Sequence, residues 1–172
     1  DGMIRKLMEA GAEYDAVVYG TEALGVMRIE KGHAAGNELN GTSTALNLGM
    51  GGMVSKRKDA IGSTLSEREG LNQPDALRLV GFRPVDPQHN FAAGSHLIGK
   101  DAEANAANDQ GYLTSVAFSP SLGHSIGLGY LKNGAARTGE ILRAVNPVQN
   151  AETLVEVVSA HFIDPEGERL RA

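Results

Sequence analysis

The chain has 172 residues, 41% of them hydrophobic and 22% charged, which is enough to bury a core and polar enough for a globular domain. Its net charge of −5 withholds the basic face that phosphate neutralisation needs, so a nucleic-acid reader is disfavoured. The lack of Cys excludes disulfides, thiolate catalysis, iron–sulfur clusters and Cys-based zinc sites, and no apolar run approaches the ~20 residues of a bilayer span.

In chain order, Ile4, Leu7 and Met8 fall at helical spacing, and Gly11 is placed to end that helix. Asp1 sits near the positive helix start. Asp15 to Tyr19 is a short apolar run that leads into a second helix. Thr21 or its neighbour caps it, Ala23, Leu24, Val26 and Met27 form its apolar face, and Gly32 stops it. Asn37 to Thr44 reads as a loop. Asn40-Gly41-Thr42 fits both a turn and a glycosylation sequon, and without a visible secretory signal it is read as a turn. Ala45 to Met53 mixes apolar residues with Gly49, Gly51 and Gly52 and is ambiguous. Lys56-Arg57-Lys58 reads as a solvated turn before a short helix over Lys58 to Glu67, capped near Asp59.

The helical signal fades near Gly70, and Asn72-Gln73-Pro74-Asp75 makes a linker. Two units follow, residues 1–72 and 73–172. In the second, Leu77 to Phe82 alternates as a strand should. Tyr112 to Phe118, Ile126 to Leu131, Glu140 to Val145 and Leu154 to Ile163 add four more strands. Asn133-Gly134 is a hairpin-type turn, and Asp164 to Gly167 is a terminal one. Short strands at regular spacing predict a small antiparallel β-barrel, so the fold class is α+β. The start at Asp1, without Met, reads as a piece of a longer protein, and the absence of Cys fits a reducing cytoplasm.

Few groups announce chemistry. Arg28 and Glu30 lie two apart and so do not share one helix face. The plainer reading is a surface ion pair. The sharper one has Arg28 meeting a ligand carboxylate and Glu30 accepting from adjacent N–H donors. Ser119-Pro120-Ser121 follows a strand, and a nucleophilic serine there would need a base and an orienting group, with His124 the nearest histidine in sequence. None of the five histidines forms an i, i+4 pair, so no metal site is expected. Gly49-Met50-Gly51-Gly52 lacks the lysine ending of a phosphate loop and reads as close backbone packing. No catalytic residue is assigned.

Taken together, certain stretches resemble the folate-binding aminomethyltransferase family, which includes the glycine-cleavage T-protein. Ala23 to Gly32 is similar to a helix ending in leucine-arginine-leucine-glutamate-x-glycine, with Met27 and Ile29 at the leucine positions. Gly36-Asn37-Glu38-Leu39 resembles the family's polar loop, Thr44 to Gly52 its glycine-rich stretch, and Lys58-Asp59-Ala60-Ile61-Gly62 a helix start. Leu79 to Phe82, Gly94 to Ile98 and Gly111 through Leu131 resemble its barrel strands and signature turn. Ala35 stands where the T-protein branch has tyrosine. That favours the sarcosine oxidase alpha branch over an aminomethyltransferase proper.

The resemblance implies a C-terminal portion of a folate-binding α+β domain followed by the family's barrel. It implies folate contact by Arg28 and Glu30 and, more weakly, by Arg83 and Ser121. It implies tetrahydrofolate as cofactor and FAD, FMN and NAD in the parent complex but outside this piece. It further implies beta, gamma and delta subunits as partners, no nucleic acid and no membrane. The family's acidic catalytic residue lies upstream of the matching region, so this piece is expected to be inactive alone. A non-catalytic docking module is the competing reading.

Overall fold

Period-two alternation from Leu77 onward folds as strands whose apolar residues point to one interior. In the computed structural model, which describes residues 1–55, 57, 58 and 60–171, six strands form a closed antiparallel barrel. They are β1 (Leu77–Pro84), β2 (His96–Gly99), β3 (Gly111–Ser119), β4 (His124–Lys132), β5 (Ile141–Asn146) and β6 (Ala151–Val158). Around the barrel the order is β1-β4-β3-β2-β5-β6, and β6 pairs back to β1 through Phe82↔Val157 and Arg83↔Glu156. Closure gives each of the six strands a neighbour on both sides.

Val80, Phe82, Leu97, Leu113, Leu131, Leu142, Val155 and Val157 fill the interior. Gly129 faces the same interior, where a Cβ would stand 3.0 Å from the Phe82 ring and 2.6 Å from the Tyr112 carbonyl. The outward residues of β4 are buried as well. Ile126 and Leu128 pack with Ile29, Leu79, Ala117, Ala160 and Phe162 in a second cluster outside the wall. This second cluster glues the helical part to the barrel.

The helical part comprises α1 (Gly2–Gly11), α2 (Thr21–Glu30) and α3 (Ser63–Ser66), with short 3₁₀ turns between them; α4 (Glu168–Arg171) closes the chain. No helix among the described residues is long and apolar enough to cross a membrane. α1 forms where its spacing predicts, yet it buries none of its residues, and Met3, Ile4 and Leu7 are exposed. The face expected on α2 differs too. Leu24 and Met27 are exposed, while Ile29 and Glu30 are buried, because only the last turn of the helix is pressed on the barrel.

Three further expectations change. The helix expected over Lys58 to Glu67 is confined to Ser63–Ser66, and the cap expected at Asp59, like Lys56 of the basic turn, lies outside the described residues. Asn133, at φ 55°, opens a 3₁₀ turn, Gly134–Arg137, rather than a hairpin, because β5 pairs with β2 and β6 and not with β4. β6 begins at Ala151 and ends at Val158. The residues after it leave the sheet to grip α2, where the Phe162 and Ile163 amides both donate to the Glu30 carbonyl at 2.9 Å. A helix end needs such donors for its free carbonyls.

Gly32 makes this grip possible. Its φ is +74°, and a Cβ would lie 2.4 Å from the Ala160 carbonyl oxygen. Gly32→Ala is expected to destabilise the chain by about 2 kcal/mol or more, from strain plus the lost approach. Gly25→Ala, in open space within α2, is expected to stabilise by up to ~1 kcal/mol. Chemical denaturation of the two variants checks both signs.

Candidate functional site

Between α2 and β3 runs an open groove of about 930 Å³, walled by Val26, Arg28, Ile29, Ser115, Ala117 and Phe118, among others. Two smaller cavities, about 290 and 320 Å³, lie elsewhere on the barrel. The groove exists because β3 changes the side it presents. Leu113 points into the barrel, and simple alternation would send Ser115 there too. A bulge between Leu113 and Ser115 shifts the register against β4. Ser115, Ala117 and Ser119 therefore face outward to the helix, while Val116 packs on the interior.

Arg28 and Glu30 flank Ile29, and both reach β3. The spacing argument that separates them holds for short side chains only; these two are long enough to bend around the buried isoleucine. The Arg28 guanidinium donates from Nη1 to Glu38 Oε2 at 2.8 Å and from Nη2 to Ser115 Oγ at 2.6 Å. Ser115 Oγ in turn donates to Glu38 Oε1 at 2.6 Å, closing a ring of three side chains. The Arg28 side chain keeps 23% of its surface exposed and lines the groove. Glu30 is buried and accepts the Ser119 hydroxyl at 2.5 Å. Ser119 thus serves Glu30 and the Leu122 amide, and His124 turns its Nδ1 to the Ser125 carbonyl, so no serine–histidine pair forms here.

Glu38 has no exposed surface. Its carboxylate also accepts the Ala35 amide at 3.0 Å, the reciprocal half of a capping box for the 3₁₀ turn Gly36–Glu38. Its carbonyl accepts the Tyr130 hydroxyl at 2.6 Å and the Ser43 hydroxyl at 2.9 Å. Burial pushes the Glu38 carboxyl up. Hydrogen bonds from Ser115 and the Ala35 amide, with the Arg28 charge, more than offset this and hold it below the usual carboxylate range. Burial likewise pushes the Tyr130 phenol up, keeping it a neutral donor.

The other two residues singled out in the sequence lie apart from the groove walls. Arg83 projects from the β1–β6 seam and is paired with Glu156 at 2.8 Å. Ser121 is exposed in the turn after Pro120, which itself borders the groove. Glu38 and Ser115 were not marked as functional by sequence reasoning. The available signals were an acid at the third position of a short turn and a Thr114-Ser115 pair interrupting an apolar strand.

Comparison with known proteins covers both parts of the chain. The glycine cleavage T-protein C-terminal barrel domain matches residues 78–164, and the GCVT N-terminal domain matches residues 2–58. Sarcosine oxidase subunit alpha of Rhizobium meliloti (strain 1021) is 44% identical over 165 residues, 95% of this chain and 17% of that protein. The subunit alpha of Corynebacterium sp. (strain U-96) is 38% identical over 93% of the chain and 17% of its own length. An aminomethyltransferase of Halothermothrix orenii is 31% identical over 91% of the chain and 42% of its own length. The chain thus spans about a sixth of the alpha subunits it matches. The crystal structure of aminomethyltransferase T from Bartonella henselae shares the fold, with a TM-score of 0.76 at 21% identity, covering 95% of this chain and 45% of that one.

A depressed Glu38 carboxyl binds its proton less tightly folded than unfolded. Its contribution to stability is therefore complete above the usual carboxylate range and is lost as pH falls through the folded value. Glu38→Gln is expected to cost about 1–3 kcal/mol at pH 7 and to flatten part of the acid branch of the stability curve. Denaturant titrations between pH 3 and 7 read both effects. Asp164, held low by Lys31, and Glu140, held low by Arg137, shift in the same direction, but nearer the surface than Glu38, where solvent screens the effect.

Proposed function

Because the chain belongs to the glycine cleavage T-protein family, we propose that it is the folate-facing piece of a sarcosine-oxidase-type alpha subunit. On this reading the parent demethylates sarcosine oxidatively to glycine, and the one-carbon unit passes to tetrahydrofolate or leaves as formaldehyde. The greater identity to alpha subunits than to the aminomethyltransferase supports this branch. The division at residues 72 and 73 separates the folate-binding portion from the barrel. FAD, FMN and NAD, with the beta, gamma and delta subunits, belong to the rest of a cytoplasmic complex.

The observation that carries the reading is Arg28 in the groove. A fixed guanidinium beside an apolar wall of Val26, Ile29, Ala117 and Phe118 suits a ligand with a flat aromatic body and a carboxylate tail. Phe118 is 56% exposed and offers a ring to stack on. Tetrahydrofolate fits that description, and when bound it supplies the nitrogen nucleophiles that take up the one-carbon unit. The residues of this chain bind and orient. Arg28 anchors the tail, Glu30 holds the Ser119 turn that ends the groove wall, and Ser121 meets a ligand extending past Pro120. Arg83 stands apart from the groove walls, paired with Glu156, and meets only a ligand long enough to reach the β1–β6 seam. Holding the acceptor where the carbon is released makes its capture nearly intramolecular.

A docking module for a partner subunit is the second reading, favoured by the exposed apolar residues Met3, Ile4, Leu7, Val17, Val18 and Tyr19. The same residues suit cover by the upstream part of the parent. Calorimetric titration of the assembled parent complex with 5-formyltetrahydrofolate separates the two readings. Folate binding predicts affinity weakened about tenfold or more by Arg28→Ala, and a smaller loss for Glu30→Ala. Unchanged affinity in both variants supports docking instead.

A further inference from the structure

Arg28 carries five N–H donors in a planar fork, and a fork binds a carboxylate well only when its plane is fixed. Three features fix it here. Glu38 takes Nη1, Ser115 takes Nη2, and the hydrogen bond between Ser115 and Glu38 locks those two acceptors to each other. Glu38 is in turn held by the Ala35 amide and, through its backbone, by Tyr130 and Ser43. These contacts occupy the end of the guanidinium. Nη1 also faces the His33 carbonyl at 3.5 Å, whereas among the described residues Nε has no hydrogen-bond partner, and the side chain, 23% exposed, lines the groove.

We infer that Glu38 and Ser115 are positioning residues: they hold the end of the Arg28 fork so that its free edge, Nε with the second Nη2 proton, is presented to a ligand carboxylate in the groove. The inference rests on the folate reading and deepens it. It separates orientation from charge. Glu38 offsets the Arg28 charge, so the pair attracts anions weakly at long range, and recognition depends on the direction of the free donors. A charge-only account makes the opposite forecast, that removing the Glu38 charge tightens anion binding.

The bulge in β3 is the backbone device behind the arrangement. Without it Ser115 would point into the barrel, and the Nη2 position would lose its acceptor. Ser115→Thr keeps the hydroxyl in place, whereas Ser115→Ala removes it and leaves the charges untouched. The serine is therefore the cleaner probe, and Glu38 tests the sign of the effect.

The test is calorimetric titration of the assembled parent complex with two probes, 5-formyltetrahydrofolate and its analogue lacking the glutamate tail. Ser115→Ala and Glu38→Gln are each expected to weaken the first probe about tenfold and leave the second within about twofold, with Ser115→Thr restoring the first. Equal losses for both probes would mean a merely deformed groove and would overturn the inference. Tighter binding in Glu38→Gln would overturn it in favour of charge. If Arg28→Ala weakens the first probe and Ser115→Ala does not, the positioning role fails and the folate reading stands. If Arg28→Ala is itself without effect, both fail.

Discussion

A carboxylate with no exposed surface must be met by donors, and Glu38 is met from three elements at once. The last turn of α2 supplies Arg28, β3 supplies Ser115, and the start of its own turn supplies the Ala35 amide. Leaving a buried polar group of such a network unsatisfied costs about 1–3 kcal/mol, and the Ser115 bonds carry the network across to the barrel. That energy ties the helical part to the barrel at one point. The network fixes the plane of the Arg28 guanidinium and holds the last turn of α2 to β3, whose outward face the bulge provides. The neighbouring contacts repeat the pattern with other chemistry. Ser119 clasps Glu30 farther along β3, and Ile29 between the two clasps buries its apolar surface against Ile126 and Leu128.

The barrel serves this arrangement by being buried on both sides of β4. Its interior packing keeps the wall rigid, and its outer residues give α2 something apolar to sit on. Gly129 inside makes room for Phe82, and Gly32 outside makes room for the segment that follows β6. The segment after β6 then supplies two amides to the end of α2 and an aspartate, Asp164, to Lys31 at 3.0 Å. The chain's late residues thus hold an early helix end, and the groove lies between elements that the sequence separates by almost ninety residues.

Much of this was legible in advance. The alternation of Leu77 to Phe82 and the β-rich runs after residue 110 announce a barrel, and the Met27-Arg28-Ile29-Glu30-x-Gly32 pattern announces the helix that meets it. The partners were not legible. Nothing in the run Thr114-Ser115-Val116 reveals a bulge, because a bulge is settled by pairing with a distant strand. Without the bulge Ser115 would be an interior residue. Glu38 reads as one acid of a polar loop, since burial depends on what closes over it. The exposed Leu24 and Met27 misled the face expected for α2, because periodicity records which residues are apolar and not which part of a helix finds a surface. Ser159 to Ile163 was apolar enough for a strand, but its amides are drawn away to the free Glu30 carbonyl.

The central claim is that one oriented arginine, held by Glu38 and Ser115, receives a carboxylate in the groove between α2 and β3. A crystal structure of the assembled complex with 5-formyltetrahydrofolate tests it most directly. The account predicts the ligand's tail carboxylate within hydrogen-bond distance of Arg28 Nε, with the contacts to Glu38 and Ser115 still in place. A ligand bound elsewhere, or an Arg28 swung away from Glu38 to reach it, would contradict the account.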